Sequence, residues 1–143
     1  MTPSPNPNKH KIKIKKTKAK KLGLKEIRIH MGIFDFNVIV VVGNYQKTCE
    51  YVLWKFDSNE KLEEFNKRYI PRGRCFFKEG YVPIIWIFHK PRTTREYATL
   101  AHETLHAVWH LFDWANLPIN NSTEEVMTHS MSHIINETLI KLR

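Results

Sequence analysis

TLAHETLHAV, residues 99–108, sets two histidines and a glutamate into an otherwise apolar run. Leu100, Ala101, Leu105, Val108, Trp109, Leu111 and Phe112 surround them and leave almost no solvent face on a helix. Buried polar groups without partners cost several kcal/mol each, on the order of 2–7. Either the histidines bond to backbone and carboxylates, or a metal satisfies all three groups together. Thr93 or Thr94 can cap this helix, and Leu117-Pro118 ends it near Asn116.

On such a helix His102 and His106 stand four apart and project from one face. Two imidazoles at that spacing reach one Zn²⁺ at about 2 Å. Glu103 sits one residue round from His102, within reach of water on the metal without being a ligand. This is the H-E-x-x-H arrangement of two ligands and a general base. His110 shares the face but lies about 12 Å along the axis from His102, too far for one ion to hold both.

Outward from the motif the chain reads as alternating strands and helices. Residues 38–42 are a continuous β-branched run, which predicts a central strand buried on both faces, and Gly43-Asn44 ends it. Tyr45, Cys49, Val52, Leu53 and Phe56 recur at helical spacing, which predicts a short helix, with a strand as the alternative. Asp57 and Glu60 form a candidate capping box for a helix carrying Leu62, Phe65 and Tyr69, closed by Pro71 and Gly73. Residues 75–78 and 82–88 read as a hairpin with its turn at Glu79-Gly80; Pro83 makes the second strand begin at, or run along, a sheet edge. A last helix follows, capped by Ser122 or Thr123, with Glu124 and Glu125 in its first turn. The expected class is α+β, a small sheet packed against the motif helix and a C-terminal helix.

The final helix carries the candidates for a third ligand. Glu125 follows His106 with eighteen residues between, and Glu124 would point about 100° away from it. Met127, Met131, Ile134, Ile135, Leu139 and Leu142 form an apolar arc. Glu125, His129 and His133 share the opposite, polar stripe. His129 or His133 can orient Glu125, stabilise an oxyanion, or replace Glu125 as ligand. His89 and Tyr97 are further oxyanion candidates.

From about Tyr81 onward the chain resembles a minimal zincin metallopeptidase of the gluzincin kind. It is similar to small metallopeptidase-like proteins of bacteriophages. The resemblance rests on His102, Glu103, His106, Ala107 and Glu125, with Thr99 and Val108 as fitting flanks. Trp109 and Phe112 stand where metzincins need Gly and His, so that branch is excluded. Many gluzincins have an acidic residue where His129 stands. The resemblance implies a zincin-like fold over residues 23–143, Zn²⁺ as cofactor, His102, His106 and Glu125 as ligands, Glu103 as base, and a peptide substrate.

The net charge of +9 is unevenly placed. Residues 1–30 carry nine lysines and one arginine against Glu26 alone, and the rest of the chain is balanced. Residues 1–22, rich in Pro, Asn and Lys, read as a disordered basic tail. Lys15, Lys16, Lys18, Lys20 and Lys21 can contact nucleic-acid phosphates, or merely solubilise the chain. SprT-like proteases of DNA-bound proteins pair HExxH with a basic region, but the HGxxF-like stretch is missing here. A zinc-stabilised domain without catalysis, or a nucleic-acid-associated protein working through its tail, are the alternatives to a peptidase. Cys49 and Cys75 make neither a disulfide framework nor a CxxC zinc site. No apolar run has transmembrane length, and no apolar region follows the basic start as in a secretory signal. The expectation is an intracellular protein without membrane contact, in the host cytoplasm if phage-encoded.

Overall fold

Residues 38–42 are apolar throughout because their strand is covered on both faces. The computed structural model describes residues 18–65 and 72–143. In it, β1 (Lys25–Met31) pairs antiparallel with β2 (Phe36–Val42), from Lys25 opposite Val42 to Met31 opposite Phe36. The tight reversal between them uses Asp35 at φ 49°, a left-handed conformation that Asp tolerates better than most residues. Beyond the sheet lie α1 (Tyr45–Lys55) and α2 (Leu62–Phe65), then β3 (Gly73–Phe76) and β4 (Ile84–Ile87). Two long helices close the chain, α3 (Thr94–Trp114) and α4 (Glu124–Lys141).

The sheet order is β1-β2-β4-β3, with β2 and β4 parallel and the other pairs antiparallel. This is an α+β architecture. Val38, Val40, Ile85 and Ile87 meet α3 and α4 through Leu100, Val108, Leu111, Phe112 and Ile134. The alternate residues Ile39, Val41, Ile84 and Trp86 meet α1 through Tyr45, Cys49, Val52 and Phe56. Each such buried side chain contributes on the order of 1.5–3 kcal/mol relative to exposure. On β1 only one face is apolar. On the other, Arg28 pairs with Glu26 at 2.6 Å, and Tyr51 donates its hydroxyl to Glu26.

Three local expectations are corrected. Residues 82–88 do not run along an edge: β4 is paired on both sides, and its strand starts after Pro83, whose carbonyl accepts from the Ile39 amide. The edge next to β4 is β3. Asp57 does not cap a helix; at φ 49° it terminates α1, and its carboxylate accepts from the Tyr81 hydroxyl at 3.1 Å. The chain is already folded before residue 23, because residues 18–21 are helical and Ala19 is buried against α1 and the sheet. Residues 1–17, with Lys15 and Lys16, lie outside the described residues. Lys18 is half-buried, while Lys20 and Lys21 are exposed. Among the described residues no helix is long and apolar enough to cross a membrane.

Candidate metal centre

A full capping box starts α3. Thr93 Oγ1 accepts from the Glu96 amide, and the Glu96 carboxylate accepts from the amides of Arg92 and Thr93. These bonds hold Glu96 below the usual carboxylate range, the Arg92 amide contributing most. The helix then runs unbroken past the motif, and Thr104 returns its hydroxyl to the Leu100 carbonyl at 2.7 Å inside the core. Leu100, Thr104, Ala107, Val108, Leu111 and Phe112 face the sheet and α4.

The helix nevertheless has a solvent face, contrary to the expectation from its composition. His102, Leu105, His106 and Trp109 lie on it, and Trp109 is 54% exposed. Of the three polar groups of the motif only Glu103 is buried. Apolar residues on one turn of a helix need not all enter a core, since a surface helix buries only a stripe.

On that face the Nε2 atoms of His102 and His106 stand 3.2 Å apart. Two nitrogens about 2.0–2.1 Å from a tetrahedral zinc are separated by about 3.3 Å, so the pair has the spacing of a bidentate site. The two rings meet edge to face, with centroids 4.8 Å apart.

Glu103 turns from this face toward the edge strand. A Cβ placed on Gly73 of β3 would lie 3.1 Å from Glu103 Cγ and 2.6 Å from Thr99 Cγ2, so helix and strand meet here without a side chain between. Burial raises the Glu103 carboxyl above its ordinary value. His102 and His106, the Cys75 backbone amide and the Arg74 guanidinium pull it partly back. Cys75 is free, and burial first, then Glu103, pushes its thiol up to about 12, which leaves it unreactive. His110, one turn beyond His106, stacks on Phe77 with centroids 3.6 Å apart, and burial lowers its basicity.

The other expected ligand is not brought to the pair. Glu125 on α4 is 86% exposed at its side chain, and its nearest ionic neighbour is His129 at 3.4 Å. Glu125, His129 and His133 line a groove beside Met31, Gly32 and Ile33, at the β1–β2 reversal. His133 is tied there by a 3.0 Å bond between its Nε2 and the His30 carbonyl. The polar stripe read from the sequence is therefore real, but it faces β1 instead of the HExxH pair. Among the described residues no group of three His, Cys, Asp or Glu is gathered as a metal site. His89 and Tyr97 are likewise outside the pair; His89 Nε2 lies 3.6 Å from Glu96.

Sequence reasoning also missed Gly73, Thr99 and Cys75, which put Glu103 at the free edge of the sheet. The hairpin spacing of residues 75–78 and 82–88 points to this strand pair, but β3 begins at Gly73, two residues before Cys75, and the edge belongs to β3 and not to β4. Comparison with protein-family models, curated proteins and solved structures finds no match to this chain.

Proposed function

We propose that the chain is a zinc-dependent peptide hydrolase built around His102, Glu103 and His106. The observation that carries this reading is the 3.2 Å approach of the two Nε2 atoms, with a buried carboxylate one residue from the first of them. A zinc ion held by that pair would supply Lewis acidity toward a carbonyl oxygen and toward water. The described residues bring two nitrogens to it and no third protein ligand.

Glu103 is the group that moves the proton. Its raised basicity suits a carboxylate that takes a proton from the attacking water at Oε and hands it to the departing amine nitrogen. The edge position matters for the same step. Among the described residues β3 is unpaired on the side away from β4 and lies against α3 at Gly73, so a carbonyl running along that edge would sit beside Glu103.

The test is metal analysis and peptide hydrolysis on the same preparations. Wild type purified after zinc-replete expression should hold one zinc per chain. His106→Ala should lose it, and Glu103→Gln should keep it while losing turnover. Wild-type protein without stoichiometric zinc would overturn the reading.

A further inference from the structure

A cavity of about 630 Å³ opens beyond the C-terminal ends of the parallel strands β2 and β4, between the first turns of α1 and α3. We propose that this cavity, which places Arg72 and Arg95 over an apolar floor and reaches Thr99, one helical turn from Glu103, is the subsite for an acidic segment of the peptide substrate. The inference rests on the hydrolase reading and names the substrate class of that site.

Its position makes it part of the same surface. Thr99 lines the cavity and also faces Gly73 beside Glu103. Thr99 and Glu103 are four positions apart on the helix, about 6 Å along the axis. The floor is formed by Tyr45, Trp86, Ile87, Phe88 and Pro91. Trp86 is fixed there by its indole N–H, which donates to the Gly43 carbonyl at 2.8 Å. Such a floor takes aliphatic stems, and the volume lies in the ordinary range of ligand cavities, roughly 300–1,000 Å³, more than one side chain fills.

The charge at the rim is positive and uncommitted. Among the described residues neither Arg72 nor Arg95 has an ion-pair partner. The one carboxylate in the lining, Glu96, is engaged by the amides of Arg92 and Thr93 and faces His89, whose Nδ1 lies 2.8 Å from the Lys90 carbonyl. Glu96 is thus occupied with the helix cap. Tyr45 and Gln46, in the first turn of α1, add the positive end of its dipole. A carboxylate on a short stem matches this set: guanidinium forks above and methylene contacts below. Nucleic acid fits it less well, because phosphate binding draws on a row of cations, and here two stand over a concave apolar floor.

The experiment uses the full-length Glu103→Gln protein and amide NMR, so no turnover is needed. The probes are acetyl-Glu-Glu-Ala-amide, acetyl-Lys-Lys-Ala-amide, inorganic phosphate and an octathymidylate strand. The acidic peptide should shift the amides of Tyr45, Gln46, Phe88 and Thr93, at least tenfold tighter than the lysine peptide. Arg72→Gln with Arg95→Gln should weaken it at least tenfold without moving the thermal midpoint. Equal response to both peptides, unchanged affinity in the double variant, or tighter saturation by phosphate or oligonucleotide would overturn the subsite. Failure of the hydrolase reading is separate: it shows as missing zinc in wild type, whatever the peptides do here.

Discussion

Gly73 on the edge strand and Glu103 on α3 touch without an intervening side chain, and a methyl at Gly73 would lie 3.1 Å from Glu103 Cγ and 2.6 Å from Thr99 Cγ2. Thr99 cannot swing aside at no cost, because its hydroxyl is bonded to the Arg95 carbonyl at 2.9 Å. Gly73→Ala should therefore push α3 off β3, costing about 1–3 kcal/mol of stability, the range for overpacking. It should also lower peptide hydrolysis more than zinc content, since the His102–His106 spacing is internal to the helix and moves with it, while the placing of Glu103 against the edge strand is lost. Denaturant unfolding and metal analysis measure the two effects. Wild-type stability in the variant would show that helix and strand are not in contact.

The His102–His106 pair and Glu125 make opposite predictions for zinc. Losing a ligand should cost roughly 100-fold or more in affinity, beyond the 10–100-fold typical of residues that only orient ligands. His102→Ala and His106→Ala should both fall in that class. Glu125→Ala should leave zinc affinity unchanged, because its side chain is exposed beside His129 at the β1–β2 reversal. Competition against a chromophoric chelator reads all three. A large loss in Glu125→Ala would mean that α4 approaches the pair in the metal-bound protein.

The elements were legible where local chemistry decides them. Thr93, one of the two candidate caps, starts α3, and the spacing of Tyr45, Cys49 and Val52 finds α1, while the reciprocal bond from Glu96 went unread. Residues 38–42 are buried on both faces, as a continuous β-branched run implies. What stayed hidden depends on how elements meet. Pro83 marks the start of β4, but nothing local tells whether β3 or β4 takes the edge. The eighteen residues between His106 and Glu125 permit an approach without requiring it, and α4 turns its polar stripe to β1. An all-apolar count around His102 could not show which residues face water, since burial is set by the partners of a helix and not by its own composition.

The cap of α3 gives a pH signature. Glu96 is held below its ordinary value of 4.5 by the Arg92 and Thr93 amides, so the fold favours its ionised form. The stabilisation is then complete above that ordinary value and disappears as pH falls through the lower folded value. Glu96→Gln keeps the shape of the capping residue and removes the charge. Its thermal midpoint should lie below wild type at pH 6.5, and the gap should narrow toward pH 3. A gap that stays constant over this range would assign the effect to geometry alone.

Trp109 and Leu111 separate the two faces of the motif helix. They are two residues apart and equally apolar in character, yet Trp109 is 54% exposed and Leu111 is 1% exposed. Leu111 packs in the cluster that joins Phe112, Val108 and Ile134, so Leu111→Ala should cost about 2–5 kcal/mol, transfer and cavity together. Trp109→Ala leaves no cavity and should change stability by no more than about 0.5 kcal/mol. Trp109 shares the exposed face with His102, Leu105 and His106, where an apolar side chain is available to an apolar group of the substrate. Trp109→Ala should accordingly raise KM for peptides with a large apolar residue while the unfolding free energy stays put. Chemical denaturation of both variants decides the first point, and a loss of several kcal/mol in Trp109→Ala would mean that this face is covered in solution.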